Sequence, residues 1–309
     1  MNLSLFDLHC DTALEMLRNK QSFFQNTLAV SLQKASVYQR YVQVMAHWTP
    51  YRLGDEEGWE LVQKMLQNLK NDPAITEGKA VIQSVCPDRD HSPTLFLAVE
   101  DARILANRLE RVDTLFESGI RILTPLWKGE SCIGGSHDTD KGLTEFGKAA
   151  LERAVALGMI LDISHASVAS AEDIFAIAKK YGRPVIASHS NAYDICPVSR
   201  NLRREQIREL IASDGIIGIN LYKNFLKSNG NATLEDTLAH IEYFLEMGAE
   251  QYLALGCDID GCDLPPDVPN IAALPHLAEL MQRQGYGDEL IREIFYENAY
   301  RFAKKHFKT

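Results

Sequence analysis

The sequence predicts an α/β protein of the (β/α)8 TIM barrel class, and three observations carry that expectation. Short apolar runs rich in β-branched residues recur along the 309-residue chain, with polar loops and amphipathic helical stretches between them. Most of these runs are continuously apolar, as strands covered on both faces must be. Eight or so such units fit the ~250 residues, plus insertions, that a closed barrel occupies as one domain. An open dinucleotide-binding sheet is disfavoured because no GxGxxG follows the first run. Residues 1–309 are therefore expected to form a single barrel domain.

The runs are SLFDL (4–8), YVQVMA (41–46), AVIQSV (80–85), TLFLAV (94–99), IRILTPL (120–126), MILDI (159–163), PVIAS (184–188), GIIGIN (215–220) and YLALG (252–256). Between the second and third, Glu56 to Lys70 reads as a helix stopped by Asp72-Pro73. ARILANRLERVDTLFESG reads as a helix ending at Gly119. TEFGKAALERAVALG reads as one that opens on a capping-box-like Thr144-Glu145 and ends at Gly158.

The composition excludes several partners. Asp and Glu outnumber Lys and Arg 42 to 32, for a net charge of −10, which argues against a nucleic-acid surface. Lys304-Lys305 reads as a solvated helix end. No apolar run approaches the ~18 residues of a membrane span. Met1 leads straight into a strand without the pattern of a signal peptide, so a soluble, cytoplasmic protein with no membrane partner is expected. The six cysteines include no CxxC pair and are expected to be free thiols. For oligomeric state, a homodimer is the base-rate expectation.

Ionisable residues fall where the apolar runs stop. His9 and Asp11 close the first, Glu100 closes TLFLAV, His165 follows MILDIS, His189 follows PVIAS, and Asp258 with Asp260 follows YLALGC. In a closed barrel these C-terminal strand ends meet at one mouth, where such folds carry their active sites. Three imidazoles with several carboxylates suit Zn²⁺ or a similar divalent ion, and one carboxylate can bridge two ions roughly 3.5–4 Å apart. Such a pair holds a hydroxide that attacks a carbonyl polarised by one of the ions. Any one of these residues alone would read as a strand-end hydrogen-bonder, and it is their coincidence that forms the signal. Cys10, between two of them, is expected to face the helix layer as a packing residue. His47 reads as a packed core imidazole, with support of the metal ligands as the other option. His91, His240, His276 and His306 read as surface or helix residues.

DLHCDT, the Glu100 after its strand, LDISHAS, IASHSNAY followed by SRN, and GCDIDG together resemble, in order and spacing, the membrane dipeptidase (renal dipeptidase) family of zinc peptidases, in its bacterial form. The resemblance runs from residue 5 to about residue 302 and implies a metal-dependent hydrolase barrel of the amidohydrolase type. It implies that His9 and Asp11 bind one metal, that Glu100 bridges, and that His165 and His189 bind the second. It further implies that Arg200 holds the substrate carboxylate, for which a planar guanidinium is suited, and that Asp258 handles the proton during amide cleavage. The implied substrates are dipeptides, including those with a D-residue or Gly at the C-terminal position. Zinc is the first choice of metal, and Mn²⁺, Co²⁺ or Fe²⁺ would be accepted by the same ligands.

The sequence departs from the mammalian pattern at one place. A substrate-contacting histidine there corresponds to Trp127 here, which offers an indole N–H but no cation. His137, in the loop GGSHDTD, is a candidate substitute, although a solvent-exposed loop histidine is the expected reading. The departure keeps open a second hydrolase function on an N-acyl amino acid, cyclic amide or lactone. HxD with Glu100, rather than HxH with a bridging lysine, speaks against it. A catalytically silent barrel is disfavoured because every metal position and Asp258 are filled.

Overall fold

A computed structural model describes residues 2–88 and 93–307. His91 lies outside the described residues. Nine strands are present among the described residues: β1 (Leu5–Cys10), β2 (Tyr41–Trp48), β3 (Val81–Ile82), β4 (Thr94–Glu100), β5 (Ile120–Thr124), β6 (Ile160–Asp162), β7 (Val185–Ala187), β8 (Ile216–Ile219) and β9 (Leu253–Leu255). Every strand pairing is parallel, and a β2–β4 pairing in addition to the sequential ladder closes eight of them into a barrel in the order β1, β2, β4, β5, β6, β7, β8, β9. The (β/α)8 expectation holds.

Two expectations change in detail. AVIQSV contributes only the two-residue β3, which pairs with β4 outside the barrel. The helix expected from Ala102 begins as a 3-10 turn, Ala102–Leu105, and becomes an α-helix only over Glu110–Glu117. The cause is local: Ala106 and Asn107 have positive φ, 50° and 57°, so the chain leaves the right-handed helical region between the two pieces. Other boundaries follow their punctuation. Thr144 Oγ1 accepts the Gly147 N–H at 2.9 Å to start the helix Glu145–Leu157, and Gly158, at φ 100°, ends it.

The barrel interior is dry. Phe6 and Leu8, Val42 and Val44, Phe96 and Ala98, Ile122, Ile160, Ile186, Ile216 and Ala254 form one buried cluster with members from all eight barrel strands. Phe6 and Phe96 stack with ring centroids 6.0 Å apart, and Phe307 meets Phe96 at 4.8 Å. The C-terminal helix Asn298–His306 adds Phe302 and Ala303, so the early, N-terminal ends of the strands are plugged with hydrocarbon. A separate, larger cluster fills the space between strands and helices. Inside the barrel, polar side chains are left to the opposite end, while Asp7 and Gln43 are buried on the helix side and bonded to each other at 2.7 Å.

Beneath that end the strands approach unusually closely. A Cβ on Gly256 would lie 1.7 Å from the Ser188 carbonyl oxygen, and one on Gly218 would lie 1.9 Å from it. These two glycines set the height at which Ser188 and His189 sit. Gly256→Ala is expected to destabilise the protein by about 1–3 kcal/mol or more, the usual range for overpacking. Gly287→Ala, with nothing within 4 Å of the added methyl, should stay within about 0.5 kcal/mol; urea unfolding of both variants measures the difference.

Candidate metal centre

Simple alternation does not explain how β1 points its ligands. Phe6 and Leu8 face the barrel interior, which would turn Cys10 inward and His9 outward. The register resolves this: Asp7 pairs with Gln43 but Cys10 with Met45, three steps on β1 against two on β2. The extra residue is a bulge, a device that re-aims side chains beside active sites. Cys10 therefore packs in the helix-side core with its Sγ 3.6 Å from Met45 Sδ, and His9 and Asp11 reach the mouth.

The five expected ligands converge there, all buried or nearly so. Glu100 lies at their centre. Its Oε2 is 3.3 Å from His9 Nε2, while its Oε1 is 2.8 Å from His165 Nε2 and 3.5 Å from His189 Nε2. Asp11 Oδ2 stands 3.7 Å from His9 Nε2. The arrangement gives two ligand groups that share a carboxylate, His9–Asp11–Glu100 and Glu100–His165–His189. Asp258 forms a third group with His9 and His189.

The donor chemistry fits divalent cations. His165 Nδ1–H donates to the Trp127 carbonyl at 3.0 Å, and His189 Nδ1–H donates to Ser188 Oγ at 2.7 Å, whose own proton goes to Asp162 Oδ2 at 2.5 Å. Both neutral rings therefore present bare Nε2 lone pairs, and these face each other at 3.0 Å beside a carboxylate oxygen. His9 Nε2 and Asp11 Oδ1 are likewise buried without a hydrogen-bond partner among the described residues. Converging lone pairs of buried side chains suit a cation held between them. Burial lowers the His9 pKa, but Glu100 and Asp11 outweigh it and hold the imidazole well above its ordinary value. Burial, aided by the Arg200 charge, pushes His165 down to about 4.

Several supporting residues carry no motif of their own. Asp162, at the end of β6, accepts from the backbone N–H groups of Ser164 and Ser188, each at 2.9 Å, and from Thr124 Oγ1 at 2.6 Å, besides Ser188 Oγ. It fixes the chain that carries both His165 and His189. Asn220, directly after β8, donates from Nδ2 to Asp258 Oδ2 at 3.0 Å and is itself tied to Asn191. Both residues end strands, and only that position in the sequence marked them. Asp258 takes a positive φ of 59°, and its pKa rises to about 8, first by burial and then through Asp11 and Glu100, with the His9 charge opposing. A Cβ on Gly261 would fall 2.0 Å from Asp11 Oδ2, so only glycine lets the loop approach these acids.

The other expected residues divide. Arg200 is 4% exposed; Nη1 donates to Ser190 Oγ and Nη2 to the His189 carbonyl, both at 2.9 Å, and Nε has no partner among the described residues. It lines a side cavity of about 320 Å³ rather than the metal cleft of about 620 Å³. His137 lines both cavities, half-buried, with Nδ1 2.9 Å from Ser199 Oγ and its ring 5.9 Å from that of His165. The expectation of a solvent-exposed loop histidine is corrected: the bridges Glu130–Gly135 and Ser136–Ala166 fold its loop back over the mouth. Trp127 lines the cleft. Asp260 is a loop anchor, accepting from Thr12 Oγ1 at 2.7 Å and from the N–H groups of Ala29 and Val30 at 2.8 and 3.2 Å. His47 is a fully buried core imidazole donating from Nδ1 to the Ala98 carbonyl at 3.0 Å. His240, on its helix, is buried as well, with Nδ1 accepting the Ala192 N–H and Nε2–H donating to the Leu226 carbonyl. His276 is exposed on its helix, and His306 pairs with Asp214 at 3.2 Å.

Residues that orient metal-ligating histidines typically contribute about 10–100-fold in metal affinity. Asp162→Asn, which leaves Ser188 and the two N–H groups without an anionic acceptor, is expected to weaken metal binding by that factor; competition titration with a chromogenic chelator measures it.

Comparison with known proteins gives three kinds of match. The family model described as membrane dipeptidase, peptidase family M19, matches residues 1–308. A curated protein of Klebsiella pneumoniae, an uncharacterised product encoded in the pqqA 5′ region, is 31% identical over 205 residues, covering 62% of this chain and 74% of its own. A crystal structure of a metallopeptidase from Rhodobacter sphaeroides, liganded with a phosphinate mimic of the dipeptide L-Ala-D-Ala, superposes with a TM-score of 0.91 at 22% identity, covering 99% of this chain and 100% of that one. The crystal structure of a dipeptidase called AC, a metallopeptidase of family M19, gives 0.90 at 23% identity over the whole of both chains. At these identities the two structures carry the fold, while the family model spans nearly the whole sequence. The chain belongs to the membrane dipeptidase family of metallopeptidases, peptidase family M19.

Proposed function

We propose that this protein is a binuclear metallodipeptidase that cleaves the amide bond of dipeptides with a free C-terminal carboxylate. The observation that supports it most directly is the split reach of Glu100, one oxygen toward His9 and the other toward His165 and His189. His9 and Asp11 would hold one ion, His165 and His189 the other, and Glu100 both, with zinc the expected metal. When bound, such ions supply Lewis acidity that polarises a carbonyl and acidifies water.

The protein's own groups then have separable tasks. Asp258 is aimed over the ligands by Asn220 and is close enough to His9 and His189 to share a ligand group with them. It is the carboxylate placed to take a proton at the mouth and pass it to the leaving amine. Arg200 provides a buried positive charge beside His189, and its pKa, though lowered by burial to about 10, leaves it charged at neutral pH. Past His137 it would draw the substrate's carboxylate toward the side cavity. No helix is long and apolar enough to cross a membrane among the described residues.

Asp258→Asn is expected to reduce kcat on dipeptides by about 10²–10⁴-fold while keeping the metal content of the parent enzyme. Near-full activity with metal loaded would show that another group moves the proton. Asp11→Ala should instead lose metal, down to about one ion per chain by atomic emission. Chelation of the parent enzyme should abolish hydrolysis, and re-addition of zinc should restore it; activity persisting after complete chelation excludes the metal-dependent reading.

A further inference from the structure

The metal cleft has two unlike walls, and barrel order sets them opposite one another. In the closed order β1, β2, β4, β5, β6, β7, β8, β9, strand β2 stands across the mouth from β7. On the β7 side Arg200 lines the neighbouring side cavity rather than the cleft itself, and its guanidinium carbon lies 5.6 Å from the ring of Phe225, which does line the cleft. The β2 side carries Trp48, whose ring centroid is 5.0 Å from that of Trp127, with Tyr51 6.2 Å from Trp127. Both tryptophans line the cleft, and Trp127 approaches the His165 ring to 6.3 Å, so this wall extends down to the metal ligands.

The wall is also held in place. Arg103, buried behind it, donates to the carbonyls of Leu53 at 3.0 Å and Pro50 at 3.1 Å and to Thr49 Oγ1 at 3.0 Å, while Nε pairs with Asp101 at 2.9 Å. That clamp ties the loop following Trp48 to the residue following Glu100. A fixed aromatic surface binds a flat or apolar group without ordering itself first.

We propose that Trp48 and Trp127 form the pocket for the side chain of the substrate's N-terminal residue, and that the enzyme therefore prefers dipeptides beginning with an aromatic or large aliphatic residue. This rests on the dipeptidase reading above. A dipeptide whose carboxylate is drawn toward Arg200, with its scissile carbonyl over Glu100, must extend its acyl portion toward β2. The β2 part of the surface there is aromatic, and Leu14, Glu15 and Arg18 of the helix after β1 line the cleft beside it. Tyr222 and Phe225, packed edge to face at 4.6 Å, line the cleft on the Arg200 side and belong to the other end of the substrate.

The test uses the zinc-loaded full chain and a dipeptide panel with a common C-terminal Ala and Phe, Leu, Ala or Gly at the N-terminal position. Parent enzyme should favour Phe-Ala over Gly-Ala in kcat/KM by tenfold or more, inside the roughly 10–200-fold range of apolar pockets. In Trp48→Ala that ratio should fall to within threefold, and Trp48→Phe should restore most of it. A second panel varied at the C-terminal position should show ratios that Trp48→Ala does not shift. Binding is read independently on the parent enzyme from inhibition constants of phosphinate pseudodipeptides carrying benzyl or hydrogen at the N-terminal side, with the benzyl compound expected to bind at least tenfold tighter. A flat N-terminal series, equal inhibition by the two phosphinates, or an effect of Trp48→Ala confined to the C-terminal panel overturns the pocket and leaves the dipeptidase reading standing. Hydrolysis of no dipeptide at all overturns both.

Discussion

A single carboxylate buried among three imidazoles sets the terms for the rest of the mouth. Glu100 is 3% exposed and lies within 3.5 Å of His9, His165 and His189. Burial alone would favour its neutral form, yet the charge on His9 outweighs it and holds the Glu100 pKa well below the ordinary value. A buried charge of this kind is tolerated only where partners are fixed around it. The fixing is done one layer down. Asp162 and Ser188 hold the β6 and β7 strand ends, the Trp127 carbonyl holds the His165 ring, and Asn220 holds Asp258.

The same demand explains the contrast between the two ends of the barrel. One end is sealed by Phe6, Phe96, Phe302 and Phe307. The other collects carboxylates and imidazoles from β1, β4, β6, β7 and β9. The apolar floor lowers the local dielectric beneath these groups, which strengthens the electrostatic interactions among them. The close approach of Gly218 and Gly256 to the Ser188 carbonyl is where the two regimes meet.

Trp127 acquires a different meaning in this setting. Where the resemblance would put a histidine over the substrate, this chain uses the Trp127 carbonyl to hold the His165 ring and the indole to build a wall with Trp48. His137 lies near the ligands from another loop, between the metal cleft and the Arg200 cavity. On the proposed reading, selection of substrate rests on loops after β2, β5 and β7, while the candidate ligands sit at the ends of the strands.

The barrel class, most strand positions and the five residues that converge at the mouth were legible in the sequence, because a buried parallel strand leaves a continuous apolar run and an ionisable residue at its C-terminal end interrupts that run. Two short steps were not. AVIQSV has the composition of a barrel strand and pairs only at the edge, since composition reports burial and not which neighbour a strand takes. The helix after Ala102 breaks where two non-glycine residues adopt positive φ, which the pattern does not disclose. The bulge that turns His9 and Asp11 into the mouth depends on the partner strand's register and has no signature within DLHCDT. Asp162, Asn220 and Arg103 became intelligible only in three dimensions, because a residue that acts by holding another is defined by a contact across the fold. The sequence by itself determined which chemistry was available and at which end of each strand; the tertiary structure alone decided which lone pairs meet, because their distances depend on how eight separate strand ends are brought around one axis.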